Sequence, residues 1–173
     1  MWDIIRELYD FTDTKTPEDE PTDEKALADR ILNDVILALG EEMSEKGITC
    51  EFKKKIPQLT VMGDESMVVE LFFNIVENAV IFGRQGGRIQ IEMEDMGRNL
   101  QISVTDDGVG IPPSELNDVF KSYYRVAEHT EMNMGGLGLG LSMAKHIAEY
   151  YEGDIRIESQ LSQGTTVFVT LPK

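Results

Sequence analysis

The 173-residue chain has little of several residue types on which common protein functions depend. Its single cysteine, Cys50, excludes a disulfide framework within the chain. Only 16 Lys and Arg stand against 32 Asp and Glu, and the net charge of −16 argues against nucleic-acid binding, which requires basic patches. No apolar run has the length of a membrane span, and we expect neither a span nor a signal peptide in this sequence. The composition predicts a soluble intracellular domain with one substantial core.

Glycine is concentrated in the segment Gly136-Leu-Gly-Leu-Gly140. Residues 139–152 follow with apolar side chains at helical spacing, which predicts a helix that begins at the glycine loop. The N-terminus of such a helix presents unpaired N–H groups and the positive end of its dipole, and both suit phosphate. No Gly-Lys-Ser/Thr follows, so the loop is not a P-loop. The alternative is a flexible loop before an ordinary helix.

The segment Asp106-Asp-Gly-Val-Gly110 follows an alternating strand, Leu100–Val104. A carboxylate only accepts hydrogen bonds, so Asp106 at the strand's end can take the amino N–H of adenine and would repel the carbonyl of guanine. Gly108 and Gly110 would let the turn pass close under a base. A plain turn whose carboxylate caps its own backbone is the alternative, and we favour it for Asp107 only.

The helix predicted from about Glu65 to Phe82 carries the third segment, Asn74-Ile-Val-Glu-Asn78. The two asparagines lie four residues apart and share a face that differs from the apolar stripe. Magnesium takes hard oxygen ligands, and an Asn carbonyl near a triphosphate can be one of them without adding charge. Two solvent-facing asparagines are the alternative.

In order and spacing, these segments resemble the catalytic, ATP-binding domain of bacterial sensor histidine kinases, in the GHKL superfamily of gyrase, heat-shock chaperone, histidine kinase and mismatch-repair ATPases. The resemblance runs from about Asp23 to the end of the chain. The resemblance rests on five sequence motifs: the N box (70–82), the G1 box (104–112), the F box (119–126), the G2 box (136–142) and the closing hairpin (159–172).

The resemblance implies a role for each matching position. Asn78 would hold magnesium with Asn74 close by, and Arg125 would reach the terminal phosphate with its planar fork of donors. Asp106 would contact the adenine amino group, and Phe82 stands where the family often has a Tyr on the adenine ring. Asn78 and Arg125 are therefore the expected catalytic residues. The other expected nucleotide contacts are Gly108, Gly110, Ile111, Tyr124, Gly136, Gly138, Leu139, Gly140, Leu141 and Thr165. The implied ligands are ATP and Mg²⁺, and residues 126–135 would form a mobile lid.

The chain also departs from the family pattern. Ile81 occupies a position where many members carry a Lys that touches the phosphates, and Arg84, Arg88 and Lys145 are candidates to replace that cation. The residues from Tyr150 to Gly153 replace the usual His-Gly-Gly. Asn74 stands where the ATP-hydrolysing branches have a water-activating Glu and cannot act as a base, so the resemblance implies ATP held for transfer.

The chain has only two histidines, and neither fits a phosphoacceptor, because the family's acceptor precedes an acidic residue on a separate helical hairpin. His129 falls in the expected lid and precedes Thr, and His146 lies inside the last helix and precedes Ile. We therefore expect the acceptor outside this chain. Residues 1–11 resemble the end of that hairpin, 12–22 are polar and proline-containing like a linker, and 23–173 form the catalytic domain.

The coarse order of elements predicts an α/β two-layer sandwich with a mixed sheet and helices on one face. We expect a helix over 24–45 that ends near Gly47, the asparagine helix, the final helix, strands over 48–55, 88–94 and 100–105, and a hairpin of 154–160 with 164–171. The expected function is transfer of the ATP γ-phosphoryl to a histidine of the neighbouring dimerisation hairpin, and then to a response-regulator receiver domain. The fragment would be a cytoplasmic monomer, and its parent a homodimer that can be membrane-anchored. An anti-sigma-type serine kinase and a non-enzymatic, nucleotide-gated interaction module are the alternatives.

Overall fold

The computed structural model describes residues 24–54, 59–127 and 136–173. The expectations for residues 1–23, and for most of the lid including His129, lie outside the described residues. In chain order the elements are β1 (Lys25–Leu27), α1 (Ala28–Ala38), α2 (Gly40–Glu45), β2 (Thr49–Lys54), β3 (Thr60–Met62), α3 (Glu65–Phe82), β4 (Arg88–Asp95), β5 (Asn99–Asp106), α4 (Gly140–Tyr150), β6 (Asp154–Gln160) and β7 (Gly164–Pro172).

Five strands form one mixed sheet in the order β2-β4-β5-β7-β6. Strand β2 is parallel to β4, and the other neighbours are antiparallel. The register places Asp106, the last residue of β5, opposite Thr165 on β7. The sheet thereby brings the end of β5 beside the start of the closing hairpin.

The core lies between this sheet and its helices. Period-2 alternation puts apolar side chains of β4, β5 and β7 on the helical side, and nine of them are at most 6% exposed: Ile89, Ile91, Met93, Leu100, Ile102, Val104, Val167, Val169 and Leu171. The apolar stripe of α3 packs into the same core through Leu71, Phe72, Ile75, Val76 and Ala79. The predicted two-layer α/β sandwich with a mixed sheet is confirmed.

Both ends of α3 are fixed by contacts with other elements. At its start, Asp64 accepts a hydrogen bond from the Ser66 N–H at 2.9 Å, and the buried Tyr151 hydroxyl accepts one from the Asp64 N–H at 2.9 Å. At its end, the Lys46 ammonium donates to the carbonyls of Val80 and Ile81 at 2.9 and 2.6 Å, and burial lowers the pKa of this lysine. These bonds satisfy helix-end groups and hold α3 in position.

The single helix predicted over residues 24–45 is wrong in two places. Its first turn is instead the strand β1, which pairs antiparallel with β3, an element that the sequence reading missed. The pairing buries Ala26, and the first helical N–H, of Ala28, donates to the Leu59 carbonyl at 3.0 Å. The helix is also interrupted at Leu39, between α1 and α2. Its predicted end is confirmed at Gly47, whose φ is +63°.

No helix in the described ranges is both long enough and apolar enough to cross a membrane.

Candidate functional site

One cleft brings the three sequence segments together. It lies between α3, the turn after β5, residues 119–126 and the start of α4, with β6 and β7 as its floor, and encloses about 1030 Å³ counted out to its open mouth. Every expected nucleotide-contact residue lines it except Gly108. A concave, largely apolar cleft with a few polar groups is the usual form of a small-molecule site.

Asp106 is the buried anion at the deep end of the cleft. It is 7% exposed, its Oδ1 accepts the Gly108 N–H at 2.8 Å, and the Thr165 backbone N–H also donates to it. Burial raises the pKa of this carboxyl to about 6, although the two backbone hydrogen bonds act in the opposite direction. At neutral pH the group is thus an ionised acceptor, held in place by backbone donors.

Gly108 has a steric role that differs from the expected one. A Cβ at this position would lie 2.1 Å from the Phe82 carbonyl oxygen, which also accepts the Val109 N–H at 3.1 Å. The missing side chain therefore lets the turn pack against the end of α3, so that Asp106 and Phe82 lie beside the same cleft. That Gly108 also lets the turn pass close under a base stays a prediction.

The capping expected of Asp107 also differs. Its Oδ1 accepts the backbone N–H of Arg88, at the start of β4, at 3.0 Å. The local turn is capped by Asp106, which bonds the N–H two residues ahead. Asp107 is thus structural, as expected, but it joins the turn to the neighbouring strand.

The two asparagines face the start of α4 and are half-buried, so the solvent-facing alternative is wrong. Asn74 donates through Nδ2 to the Glu70 carbonyl at 2.9 Å, which leaves its Oδ1 as an acceptor. The Asn78 amide makes no hydrogen bond to any residue that the structure describes. A Cβ at Gly140 would lie 3.2 Å from Asn74 Oδ1 and 3.2 Å from Asn78 Nδ2. Glycine at 140 therefore keeps open the space between the amides and the N-terminus of α4.

The N-terminus of α4 has no side-chain cap. Leu139 is the N-cap residue, and its side chain makes no capping hydrogen bond. This end opens onto the cleft with the positive pole of the helix dipole, as the glycine loop predicts.

Arg125 is the only cation among the cleft-lining residues that the structure describes. The three candidates to replace the missing Lys lie elsewhere. Lys145 lies over the Phe120 ring at 5.6 Å, Arg84 donates to the Ser162 carbonyl, and Arg88 pairs with Glu51. Ile81 itself lines the cleft and is half-buried. Its apolar side chain thus occupies a position where a cation would face the ligand.

Tyr124 and its neighbours build the wall opposite the asparagines. The Tyr124 hydroxyl donates to Glu115 Oε2 at 2.9 Å, and this bond is the main cause of the raised pKa of the tyrosine. The Tyr123 N–H donates to the Gly138 carbonyl at 2.9 Å, which joins the two segments that flank the expected lid. Below them lies a small apolar cluster of Ile111, Val119 and Val126.

Sequence reasoning missed several lining residues. Glu77 lines the cleft, and its position three residues after Asn74 was the available signal. Ile157 and Val167 form the floor, and nothing in the sequence placed them there because their strands are distant along the chain. His146 is exposed on α4. The described residues contain no cluster of three or more His, Cys, Asp or Glu that could hold a metal ion.

The match to known proteins defines the class. Residues 63–173 match the family described as histidine kinase-, DNA gyrase B- and HSP90-like ATPases. The chain belongs to this family.

The particular relatives are sensor kinases. The sensor-like histidine kinase SenX3 of Mycobacterium tuberculosis is 30% identical over 173 residues, which cover 99% of this chain and 42% of that protein. The sensor protein kinase WalK of Staphylococcus epidermidis is also 30% identical over 173 residues, covering 98% of this chain and 28% of that protein. The chain therefore spans less than half of the length of these relatives.

Solved structures agree with the fold. A mycobacterial sensor histidine kinase, MprB, superposes with a TM-score of 0.76 at 25% identity, over 87% of this chain and 97% of that one. The catalytic domain of histidine kinase ThkA gives a TM-score of 0.76 at 24% identity, over 87% and 95%. The expected fold is confirmed as that of histidine-kinase catalytic domains.

Proposed function

We propose that this domain binds Mg-ATP and donates the γ-phosphoryl group to a histidine on an adjacent helical hairpin, from which a response-regulator receiver domain takes it. The observation that carries the proposal is the pairing of two unlike ends in one cleft. A buried acceptor, Asp106, lies at one end, and an uncapped helix N-terminus with Arg125 and two amides lies at the other. An adenine amine suits the first end, and phosphates suit the second.

The residues present fit a magnesium ion that arrives with the nucleotide. Without a cluster of protein carboxylates, most ligands of such an ion would be phosphate oxygens and water, as is common for Mg²⁺. Asn78 would supply a protein oxygen, because its amide is half-buried and makes no hydrogen bond within the described residues. Glu77 and Asn74 would lie close to the same ion. When bound, the ion would neutralise phosphate charge.

The residues of the chain would then act by positioning. Arg125 would bind the terminal phosphate through its fork of donors, and the first N–H groups of α4 would hold the phosphates near the cleft mouth. Phosphoryl transfer depends mostly on positioning and charge stabilisation, so this donor set suffices without a catalytic base. Asn74 cannot activate water, which favours transfer over hydrolysis.

The acceptor and the receiver domain come from outside the described residues. One solved neighbour is histidine kinase ThkA in complex with the response regulator protein TrrA; at 20% identity it supports this proposal through the fold alone. We infer the same arrangement here: a cytoplasmic catalytic domain that works in a dimeric parent.

The first experiment tests the metal end of the cleft. Calorimetry with and without magnesium should give Mg-dependent ATP binding for the native chain and none for Asn78→Ala. The control is Asn33→Ala, a helical asparagine of α1 that donates to the Asp29 carbonyl at 2.7 Å outside the cleft. Native-like Mg-ATP affinity in Asn78→Ala would contradict the metal assignment.

The second experiment tests the reaction. Labelled ATP and the native chain are mixed with a separately produced acceptor hairpin, and acid-labile phosphohistidine is measured beside phosphate release. We expect label on the hairpin histidine, very slow hydrolysis and no label on the chain. Label on a serine would support the anti-sigma-type alternative, and binding without any transfer would support the nucleotide-gated module.

A further inference from the structure

Ser159, on β6, is the centre of a hydrogen-bond network behind the deep end of the cleft. Its Oγ accepts the backbone N–H of Ile111 at 2.9 Å and donates to the Gly164 carbonyl at 2.9 Å. The Thr165 hydroxyl lies 2.8 Å from the same Oγ. Ser159 is thus joined both to the turn after Asp106 and to the hairpin that carries Thr165.

The network fixes the direction of the Thr165 proton. A serine hydroxyl has one hydrogen, and a carbonyl can only accept, so the Ser159 hydrogen is used on Gly164. The bond between the two hydroxyls must then use the Thr165 hydrogen. Thr165 lines the cleft, and its Oγ1 therefore has only lone pairs left to offer there.

The neighbouring groups are acceptors as well. The Thr165 backbone N–H and the Gly108 N–H both donate to the Asp106 carboxylate, so neither is available to a ligand. Beside Asp106, the deep end of the cleft then offers a carboxylate and a hydroxyl that both accept. A ligand that places an amino group against these two acceptors is favoured, and one that places a carbonyl there is disfavoured.

We propose that Ser159 is a positioning residue for base selectivity: it holds Thr165 as an acceptor, so that the cleft takes a 6-amino purine and rejects a 6-oxo purine. This inference rests on the proposed binding of ATP. It assigns to Ser159 an effect on the choice of base that its structural contact with Ile111 alone does not produce.

A purely structural role and this role predict different results. If Ser159 only stabilised the turn, Ser159→Ala would weaken ATP and ITP equally. In the proposed role the change frees the Thr165 hydroxyl to rotate and donate to the carbonyl of inosine. Because one rescued hydrogen bond is worth about 1.4 kcal/mol, we expect the ratio of the ITP to the ATP dissociation constant to fall about tenfold.

The experiment measures Mg-ATP and Mg-ITP dissociation constants by calorimetry for the native chain and five variants, of which the first is Ser159→Ala. Ser159→Thr retains the hydroxyl and should keep the native ratio. Thr166→Ala is the matched control, because Thr166 forms the same kind of hydroxyl pair, with Thr105 at 3.0 Å, on exposed positions of the adjacent strands. It should leave the ratio unchanged. The double variant Ser159→Ala/Thr165→Val should have the same ratio of dissociation constants as Thr165→Val alone.

The outcomes separate this inference from the proposed function. A native chain that binds no ATP would overturn the proposed function and this inference with it. A native chain that prefers ATP, with an unchanged ratio in Ser159→Ala, would overturn the role of Ser159 alone. If Ser159→Ala does not fold, an altered ratio in Ser159→Thr, or a native ratio in Thr165→Val, would contradict the proposal equally.

Discussion

Replacing Asp106 with Asn should make the nucleotide-free domain more stable and the nucleotide complex weaker. In the native fold this carboxyl is 7% exposed, and burial raises its pKa to about 6 from the ordinary 3.8. The ionised form is therefore less favourable in the folded domain than in the unfolded chain. Asn has nearly the same shape, carries no charge at any pH and keeps one carbonyl oxygen for the backbone donors.

The sign and size of the effect follow from proton linkage. Between pH 3.8 and about 6 the folded domain holds a proton that the unfolded chain has released, so the free energy of unfolding falls as pH rises through this window. Above about pH 6 the decrease in the free energy of unfolding is complete. At about 1.36 kcal/mol per pH unit over this window, it amounts to roughly 3 kcal/mol. Losing one backbone hydrogen bond in Asn offsets about 1 kcal/mol of the gain. We expect Asp106→Asn to be about 1–2 kcal/mol more stable at pH 7.5.

Denaturant unfolding of the nucleotide-free domain at pH 7.5 and at pH 4.5 measures this directly. The advantage of Asp106→Asn should be present at pH 7.5 and should shrink or reverse at pH 4.5, where the native carboxyl is protonated in the fold. In parallel, ATP should bind the variant about tenfold more weakly, because a bond to a charged acceptor is worth about 1.5–3 kcal/mol, and discrimination against GTP should relax.

Two results would refute this reasoning. If Asp106→Asn were less stable than the native domain at pH 7.5, the buried charge would not be a cost to the fold. If GTP bound the native domain as well as ATP does, the carboxylate would not face the base. A stability difference that is the same at both pH values would place its origin in packing and not in ionisation.

Three further substitutions test other parts of the chain. Gly140→Ala should raise stability by about 0.4–1 kcal/mol, because it restricts the unfolded chain. Its new Cβ would lie 3.2 Å from both asparagine amides and should weaken Mg-ATP binding about tenfold. Thermal melts and calorimetry measure the two effects, and an unchanged Mg-ATP affinity would argue against a ligand between these groups. Glu152→Gly should raise stability by about 1 kcal/mol, because Glu152 has a φ of +56° at the end of α4. The control, Glu149→Gly inside α4, should lower stability by a similar amount. A Glu152→Gly variant less stable than the native domain would contradict the backbone strain at this position. Ile81→Lys should strengthen ATP binding severalfold and leave adenosine binding unchanged, and Ile81→Met is the uncharged control; an equal gain for adenosine would exclude a phosphate contact.

The elements with strong local signals could be predicted from the sequence. The helix predicted over residues 65–82 agrees with α3 because its apolar stripe recurs at helical spacing along the whole segment. The closing hairpin agrees as well. The strand β1 could not be predicted, because three residues carry no period and their pairing with β3 depends on a contact across more than thirty positions.

The site was predictable where one residue type at one spacing carries the chemistry. Asn74, Asn78 and Asp106 do line one cleft, and they could be singled out because an amide or a carboxylate is informative at the end of a strand or on a helix face. The role of Gly108 was not, because it depends on the Phe82 carbonyl, which only the folded chain brings near. Ser159 gave no signal at all, since a serine on a strand is common and its partners lie 48 residues upstream and 5 and 6 residues downstream.

The packing of α3 explains why the Asn78 side-chain amide has no hydrogen-bond partner within the described residues. Bonds from other elements fix both ends of α3: Tyr151 at its start and Lys46 at its end. The apolar stripe buries one face, so the helix can neither rotate nor slide to give the Asn78 amide a partner within the described residues. A half-buried amide with no protein partner among the described residues can bond a ligand without first breaking a hydrogen bond to the protein. The fixed ends and the packed apolar face thus make α3 a preorganised wall of the cleft. Ligand binding therefore does not have to order this helix first.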